Sequence, residues 1–582
     1  MLAAALAIGA WNVLVTAQMP NPLSSLATRV ERLQDHIESV ESVRAIKRLQ
    51  YAYGHYVELG LWNDFADLFA QDAVTNYQSG VRGKDAIRKL FFDQVGQGKL
   101  GLSEGRIYPH ILFQPVITLA PDGRTAKGRW RILAMLGGYG GSATWYSGVY
   151  ENEYVLENGV WKISVIHSEP KVTAAYTAAG WKESGVHVPL HYTAASVATA
   201  FPDSASLKAR AANRAPSLTS FADRVNQLAR RTARLNDQAE VANLLDTYGY
   251  AVDGRLWDQA ADLFAKDGTL ELGLQGVYVG KASIRQGLAV GEPGGERNDH
   301  VYLQTIVSVA QDGHTAKARG VELGMSHASG GELSEGTFEN TFVRRNEGWK
   351  IQSVHFYPRM IVDAAAGWAK SAKPAPGPSK EFPPDRPPTS SYEIYPKFAV
   401  APFHFDNPVT GKTPQYPEGV TATKSTTASA TPVNAPAIRN TADLAARLTE
   451  VERTIATAEA YDAAENLIGA YSYYLDESPG DVASLFVGGV RKDAAVDYLA
   501  PGETILVNQI LQPVIDVAPD GRSAKIRARV LDPGGTSGGA GYWTAGVFEG
   551  QIVSEQGMWR FQTARSPSGW SAPYPGGWAR IP

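Results

Sequence analysis

The 582-residue chain contains no cysteine. Disulfides, thiolate metal sites, iron–sulfur clusters and a cysteine nucleophile are therefore excluded. A long basic run is missing as well, and 55 Lys and Arg against 59 Asp and Glu leave a formal net charge of -4. Binding along a phosphate backbone needs a cationic face, so this composition argues against a nucleic-acid partner. With 44% hydrophobic and 20% charged residues, the chain is typical of globular proteins.

Long hydrophobic runs are also missing beyond the amino terminus. Residues 1–15 read MLAAALAIGAWNVLV and are followed by small residues up to Ala17. This segment is typical of a signal peptide over residues 1–17, although it lacks a positively charged leader. The alternative is a first core helix, which Asn12 and Pro20 disfavour. We therefore expect a periplasmic or secreted protein with no membrane span in its mature form, and a cytoplasmic location stays open.

The chain does contain one unit repeated three times. The first copy has LWNDFADLFAQDA from Leu61 and NGVWKISVIHSEP from Asn158. The second has LWDQAADLFAKDG from Leu256 and EGWKIQSVHFYP from Glu347. A third, degenerate copy follows, with VAPDGRSAKIRARV from Val517, and it lacks a stretch between residues 486 and 495.

These repeats predict three units and two linkers after the signal peptide. The predicted bounds are unit 1 at 26–182, a linker at 183–220, unit 2 at 221–370, a proline-rich linker at 371–440 and unit 3 at 441–582. The linkers are too polar to bury a core of their own. However, PLHYTA from Pro189 and PFHFDNPVTG from Pro402 contain aromatic residues, so we expect part of each linker to lie across a neighbouring unit.

Within unit 1 the hydrophobic spacing predicts helices over 42–59, 62–69 and 84–95. From residue 111 onwards the pattern changes to that of strands, with hairpins at Pro-Asp-Gly-Arg and at Asn-Gly. Helices packed on a curved antiparallel sheet make an α+β unit. A cavity for a small ligand is expected between the two layers.

The order of elements and four phrases carry a resemblance to a known family. The phrases are W-x3-A-x-LF-x2-D, G-K-x-x-I-R, D-G-x-T-A and G-W-K-I. They resemble the SnoaL-like branch of the nuclear transport factor 2-like superfamily, over nearly all of units 1 and 2 and part of unit 3. The resemblance implies three tandem cone-shaped α+β barrels, and a reaction that needs no metal and no cofactor.

Tyrosine, acid and histidine occur in the order that resembles scytalone dehydratase and bile acid 7α-dehydratase. Carried onto this sequence, the catalytic residues are Tyr53, Glu58 and His110 in unit 1 and Tyr248, Asp253 and His300 in unit 2. The resemblance implies that the carboxylate orients the imidazole, the imidazole takes the substrate proton, and the phenol assists the leaving oxygen. Imidazole titrates near neutrality and suits this role. Unit 3 has Asn508 in place of the histidine.

Five further residues are candidates for binding the substrate. Alternate residues of a strand share one face, so Gln114 lies on the face of His110, and Tyr302 and Gln304 lie on that of His300. The glutamine recurs as Gln512 in unit 3, which favours a structural role. The other two candidates end the last predicted strand of units 1 and 2; they are His167 and His355.

The sequence therefore predicts a cofactor-independent lyase that dehydrates a small, apolar cyclic or aromatic alcohol. An isomerase, or a carbon–carbon lyase that releases formaldehyde by a retro-aldol step, would use the same residues. A non-catalytic ligand-binding or scaffold protein is the third alternative. Beyond a small-molecule substrate, the expected partners are the three units themselves, associated as a pseudo-trimer within one chain.

Overall fold

The computed structural model describes residues 22–77, 80–198, 217–290, 298–327, 331–414, 417, 438–491, 504–574 and 576–577. The expected signal peptide at 1–17 lies outside these ranges. Within them, no helix combines the length and the apolar character that crossing a membrane requires.

Unit 1 places three helices around one sheet. Its elements are α1 (Pro22–Glu58), α2 (Trp62–Asp67), β1 (Phe69–Thr75), β2 (Val81–Arg82), α3 (Lys84–Gln94), β3 (Arg106–Ile107), β4 (His110–Leu119), β5 (Thr125–Gly138), β6 (Ala143–Glu157), β7 (Val160–Ile166) and β8 (Ser168–Ala175). The strand order is β2-β1-β7-β6-β5-β3, with β4 paired to β5 and β8 to β6. The helix predicted over 62–69 ends early because Phe69 already pairs with Ile163, in parallel, in the sheet.

Unit 2 repeats this arrangement after the short linker elements β9 (Lys182–Glu183) and α4 (Ala194–Ala198). Its elements are α5 (Leu218–Asp253), α6 (Trp257–Asp262), β10 (Phe264–Leu272), β11 (Val277–Val279), α7 (Gly280–Ala289), β12 (Asn298–Val309), β13 (Thr315–Ser326), β14 (Glu332–Arg345) and β15 (Gly348–Asp363). The sheet order is β11-β10-β15-β14-β13-β12.

Unit 3 keeps the long helix and the long strands. Its elements are α8 (Thr441–Glu477), two short 3-10 helices (Pro479–Leu485 and Val487–Gly489), β16 (Ile505–Leu506), β17 (Ile510–Val517), β18 (Ser523–Gly535), β19 (Gly541–Glu555), β20 (Met558–Arg565) and β21 (Ser568–Pro573). The sheet order is β16-β18-β19-β20, with β17 paired to β18 and β21 to β19.

The first halves of α1, α5 and α8 form a coiled coil of three helices. Each helix buries residues alternately four and three positions apart, which is the heptad spacing of such coils. The buried residues are Leu26, Val30, Leu33, Ile37 and Val40 on α1, Phe221, Val225, Leu228, Thr232 and Leu235 on α5, and Leu444, Leu448, Val451, Ile455 and Ala458 on α8. The helix predicted to start at residue 42 thus starts at Pro22, because the coil extends it.

Ion pairs along the coil show that its helices run parallel. They join positions at similar heights on two helices and each measures 2.6 Å, as in Arg29–Glu452, Arg224–Glu31 and Arg231–Glu41. The two linkers add contacts between units further along. Tyr192 packs on Tyr474 of unit 3 with ring centroids 6.1 Å apart, and Phe405 packs on His55 of unit 1 at 6.2 Å.

Candidate functional site

Unit 1 encloses a cavity of about 140 Å³ between its helices and its sheet. Residues of α1 and α3 line one side, and His110 at the start of β4 lines the other together with residues of β5 and β6. The lining comprises five tyrosines, one histidine, two small hydroxyl residues and apolar side chains. The lining carries no formal charge when the histidine is neutral, so the cavity suits a neutral, largely apolar molecule.

His110 is the one imidazole in this lining. Its Nε2 lies 2.9 Å from the hydroxyl of Tyr150, which lies 3.3 Å from the hydroxyl of Tyr53. Its Nδ1 is buried and has no hydrogen-bond partner among the described residues. Burial lowers the pKa of His110 to about 3, because the charged imidazolium would lose its hydration. The imidazole is therefore neutral, with one nitrogen free to accept a proton.

The phenols around His110 are held in their protonated form. Burial raises the pKa of both Tyr53 and Tyr150, and it raises the pKa of Tyr146 to about 12. The ring of Tyr108 stacks on the imidazole with centroids 5.7 Å apart. The site thus offers one proton acceptor and several proton donors in an apolar enclosure.

Glu58 does not reach His110, which corrects the predicted pairing. It ends α1 at the interface, where it forms an ion pair with Arg359 of unit 2, and Arg359 also bonds Glu335. Burial raises the pKa of Glu58 to about 7, an effect that Arg359 partly offsets. The same position in the other units is likewise paired across an interface, as Asp253–Arg529 and Asp476–Arg131. Each of these arginines belongs to a different unit from the carboxylate that it pairs with. The sequence of a single unit therefore could not predict the ion pairs.

Unit 2 does bring its predicted acid and histidine together. Asp253 Oδ1 lies 3.1 Å from Nδ1 of His300 and accepts its backbone N–H at 3.0 Å. The interior differs from that of unit 1, because Tyr302 stacks on the predicted Tyr248 with centroids 6.4 Å apart. Opposite Tyr302 on β13 lies Glu322, a buried carboxyl whose pKa is raised by burial.

The three glutamines join the units and lie outside the unit 1 cavity, which corrects the placement of Gln114 and Gln304 beside the histidines. Each sits at a bulge with positive φ, between 51° and 56°. Each side-chain oxygen accepts a backbone N–H from the next unit in a closed cycle. The pairs are Gln304 with Leu112 at 2.8 Å, Gln114 with Ile510 at 3.1 Å and Gln512 with Tyr302 at 3.2 Å.

His167 lies outside the unit 1 cavity, which corrects its assignment to substrate binding. Ile166 and Ser168 line the unit 1 cavity, so the residue between them points to the opposite side. His167 is accordingly 42% exposed and bonds Glu169. His355 stacks on Tyr357 at 3.9 Å between centroids and lines a different pocket, together with Glu271 and Arg386. Its assignment to substrate binding stays a prediction.

One family model decides which family the two complete units represent. The model of the SnoaL-like domain matches residues 38–167 and, a second time, residues 233–355. Units 1 and 2 are SnoaL-like domains. The fold is of the nuclear transport factor 2-like type, α+β with curved sheets, and the two matched segments agree with the tandem repeat.

Solved structures similar to one SnoaL-like unit were also found. A protein described as a putative scytalone dehydratase from Novosphingobium aromaticivorans is 21% identical, covers 26% of this chain and 98% of its own, and has a TM-score of 0.22. An NTF2-like protein with a cystatin-like fold from the same organism is 22% identical and covers 25% of this chain and 91% of its own, with a TM-score of 0.20. A type 2 hexachlorocyclohexane dehydrochlorinase is 16% identical and covers 27% and 98%, with a TM-score of 0.22.

The described residues of unit 3 do not form the kind of site seen in unit 1. Tyr471, the counterpart of Tyr53, packs against Phe486, Phe548 and Phe561 with centroids 5.6–6.2 Å away. Asn508 bonds Asp476 where the other units have a histidine. Phenylalanine rings thus occupy the interior that forms a cavity in unit 1.

Tyr150 is the site residue that the sequence reasoning missed. Strand register aligns it with Phe338 in unit 2 and Phe548 in unit 3, so only unit 1 has a hydroxyl there. Comparing the three copies at this position would have revealed the difference. Tyr108 and Tyr146 were missed for a related reason, because their counterparts in the other copies are not tyrosine.

Proposed function

We propose that unit 1 is a cofactor-independent lyase that eliminates water from a small, apolar cyclic or aromatic alcohol. The observation that carries this proposal is the neutral imidazole of His110, which has one nitrogen without a hydrogen-bond partner and belongs to the lining of an uncharged cavity rich in phenols. A neutral imidazole can take a proton from an activated C–H bond. Phenols can protonate the departing hydroxyl or stabilise developing negative charge, and the absence of bulk water strengthens both effects.

The proton path follows from the hydrogen bonds. When Nε2 carries the proton and donates to Tyr150, the free lone pair of His110 is on Nδ1, which accepts the substrate proton. The C–H electron pair becomes the new double bond as the C–O bond breaks. The leaving oxygen takes a proton from Tyr150 or Tyr53 and departs as water. The imidazolium then passes its Nε2 proton to the Tyr150 phenolate through the 2.9 Å contact, and Tyr150 relays a proton to Tyr53 across their 3.3 Å contact when Tyr53 was the donor. Loss of the Nδ1 proton and reprotonation of Nε2 restore the starting tautomer.

Unit 1 is proposed as the main site because only its described interior combines histidine, hydroxyl network and cavity. In unit 2 the carboxylate of Asp253 is shared between His300 and Arg529, and Phe338 replaces the phenol next to the imidazole. We assign unit 3 a supporting role in the assembly. An isomerase and a retro-aldol lyase would use the same base, so the product distinguishes them.

The proposal is tested by screening hydroxylated cyclic and aromatic compounds with the full chain and following the product by mass spectrometry. Loss of water is expected; loss of formaldehyde or an unchanged mass would favour the carbon–carbon lyase or the isomerase. Tyr150→Phe should lower kcat about 10- to 1000-fold, as expected when one stabilising hydrogen bond is removed. Tyr139→Phe is the matched control, because that tyrosine is 52% exposed. A ligand that binds without any turnover would contradict the lyase and support the binding protein.

A further inference from the structure

A second cavity, of about 340 Å³, lies where the three units meet. It is bordered by α1, α5 and α8 below the coil and by the bulges of β4, β12 and β17. It shares no lining residue with the unit 1 cavity. Ligand pockets in proteins measure about 300–1,000 Å³, so this volume suits a small organic molecule.

Fusion of the units makes this cavity chemically asymmetric. The position two residues before the interior tyrosine of each unit is Tyr51 on α1, Asp246 on α5 and Gly469 on α8, and all three line the cavity. A homotrimer would place three identical side chains around such an axis. In this chain the three equivalent positions instead carry a phenol, a carboxylate and a glycine.

Most charges around the cavity are paired with one another. Lys47 pairs with Glu465, and Arg44 pairs with Asp462 at 3.1 Å. Arg48 donates to Ser308 at 2.9 Å. The basic side chains of α1 are therefore already engaged in contacts between the units.

The carboxylate of Asp246 is different, because it has no hydrogen bond or ion pair with any described residue. Burial and the negative charge of Glu465 raise its pKa well above the usual value, which Arg529 only partly offsets. The other titratable or charged groups that line the cavity with it are Glu41, Arg44, Lys47, Arg48, Tyr51, Tyr302 and Tyr461. A buried carboxyl without a counter-ion is costly when ionised, so a cationic ligand gains most from meeting it here.

We propose that this axial cavity binds a small organic cation, a primary ammonium with an apolar body, whose nitrogen pairs with Asp246. The phenols of Tyr51 and Tyr461 offer oxygen and ring faces to an ammonium group. Leu245, Ile468 and Ile510 provide apolar wall for the body. The inference does not depend on the reaction proposed for unit 1.

Calorimetric titration of the full chain tests the proposal with benzylammonium as the probe and neutral benzyl alcohol as its uncharged comparison. We expect benzylammonium to bind at least about tenfold more tightly than the alcohol. Asp246→Asn should weaken benzylammonium binding by at least about tenfold. Asp267→Asn should leave affinity unchanged, since that side chain is 70% exposed. Because burial raises the pKa of Asp246 and a paired ammonium group would lower it, binding should favour release of a proton, and the measured heat should then depend on the ionisation enthalpy of the buffer.

Three results would overturn the proposal. One is equal affinity for benzylammonium and benzyl alcohol in the unmutated chain, a comparison that does not depend on the folding of a variant. The second is unchanged benzylammonium affinity in a folded Asp246→Asn protein. The third is the lack of any benzylammonium binding up to about 10 mM, because the binding free energy would then be smaller in magnitude than about 3 kcal/mol.

Discussion

Gln304→Ala should destabilise unit 1, although the substituted residue belongs to unit 2. The Gln304 side chain accepts the N–H of Leu112 at 2.8 Å and contacts Nδ1 of His55 at 3.3 Å. Leu112 is fully buried, so its orphaned N–H should cost about 1–3 kcal/mol, and loss of the second hydrogen bond about 1 kcal/mol more. The expected total is about 2–4 kcal/mol in the free energy of unfolding of the full chain.

Backbone strain at this position can be separated from the hydrogen bonds. Gln304 has a φ of 54°, which glycine adopts more easily than other residues. Gln304→Gly should therefore be about 1 kcal/mol less destabilising than Gln304→Ala. Gln556→Ala is the matched control, because it has a φ of 53° in an exposed turn and should change stability by less than about 0.5 kcal/mol.

Urea unfolding and amide hydrogen exchange together provide the assay. In Gln304→Ala the amide of Leu112 should exchange faster than in the unmutated chain, while Gln556→Ala should leave its rate unchanged. The reasoning would be refuted if Leu112 stayed equally protected and the unfolding free energy changed by less than about 0.5 kcal/mol.

Three further predictions concern single buried groups. Thr232→Val should stabilise the coil by about 1 kcal/mol, because its buried hydroxyl has no partner; Thr454→Val, whose hydroxyl donates to a backbone carbonyl, should show no such gain in thermal unfolding. Glu58 has a folded pKa of about 7 against an ordinary 4.5, so its contribution to stability is present below pH 4.5 and is lost as pH rises through 7. The unfolding free energy of Glu58→Gln should consequently fall less over that range, by on the order of 3 kcal/mol, in pH-dependent urea titrations. The imidazole of His110, with a pKa of about 3 against 6.5, should stay neutral in NMR titrations well below pH 6, and its contribution to stability should be lost as pH falls from 6.5 through 3. A titration midpoint near 6.5 would contradict the buried site.

The repeat and the fold class could be predicted because they rest on local patterns. Hairpin turns and strand alternation are visible within a single copy, and the Trp62 phrase recurs at Trp257 in the second copy. The coil was also visible in principle, since Leu26 to Val40 has the same spacing as Leu444 to Ala458, but the prediction began the helix too late.

The site could be predicted only in part because its neighbours come from distant segments. Glu58 was assigned to His110 from its position in the helix, yet Arg359 approaches it from another unit, 301 positions later in the chain. The glutamine at 114 recurs in all copies for an analogous reason, since it satisfies a backbone N–H of the next unit. Residues at a unit interface and residues in a cavity leave the same alternating pattern in a strand.

The most direct test of the account compares His110→Gln with His300→Gln on the substrate that screening identifies. His110→Gln should lower kcat/KM by about 10²- to 10⁴-fold, as expected for loss of a general base, with the full chain still folded. His300→Gln should retain the rate within about threefold, because the proposed main reaction takes place in unit 1. Normal turnover by His110→Gln, or an equally large loss in His300→Gln, would contradict the central claim.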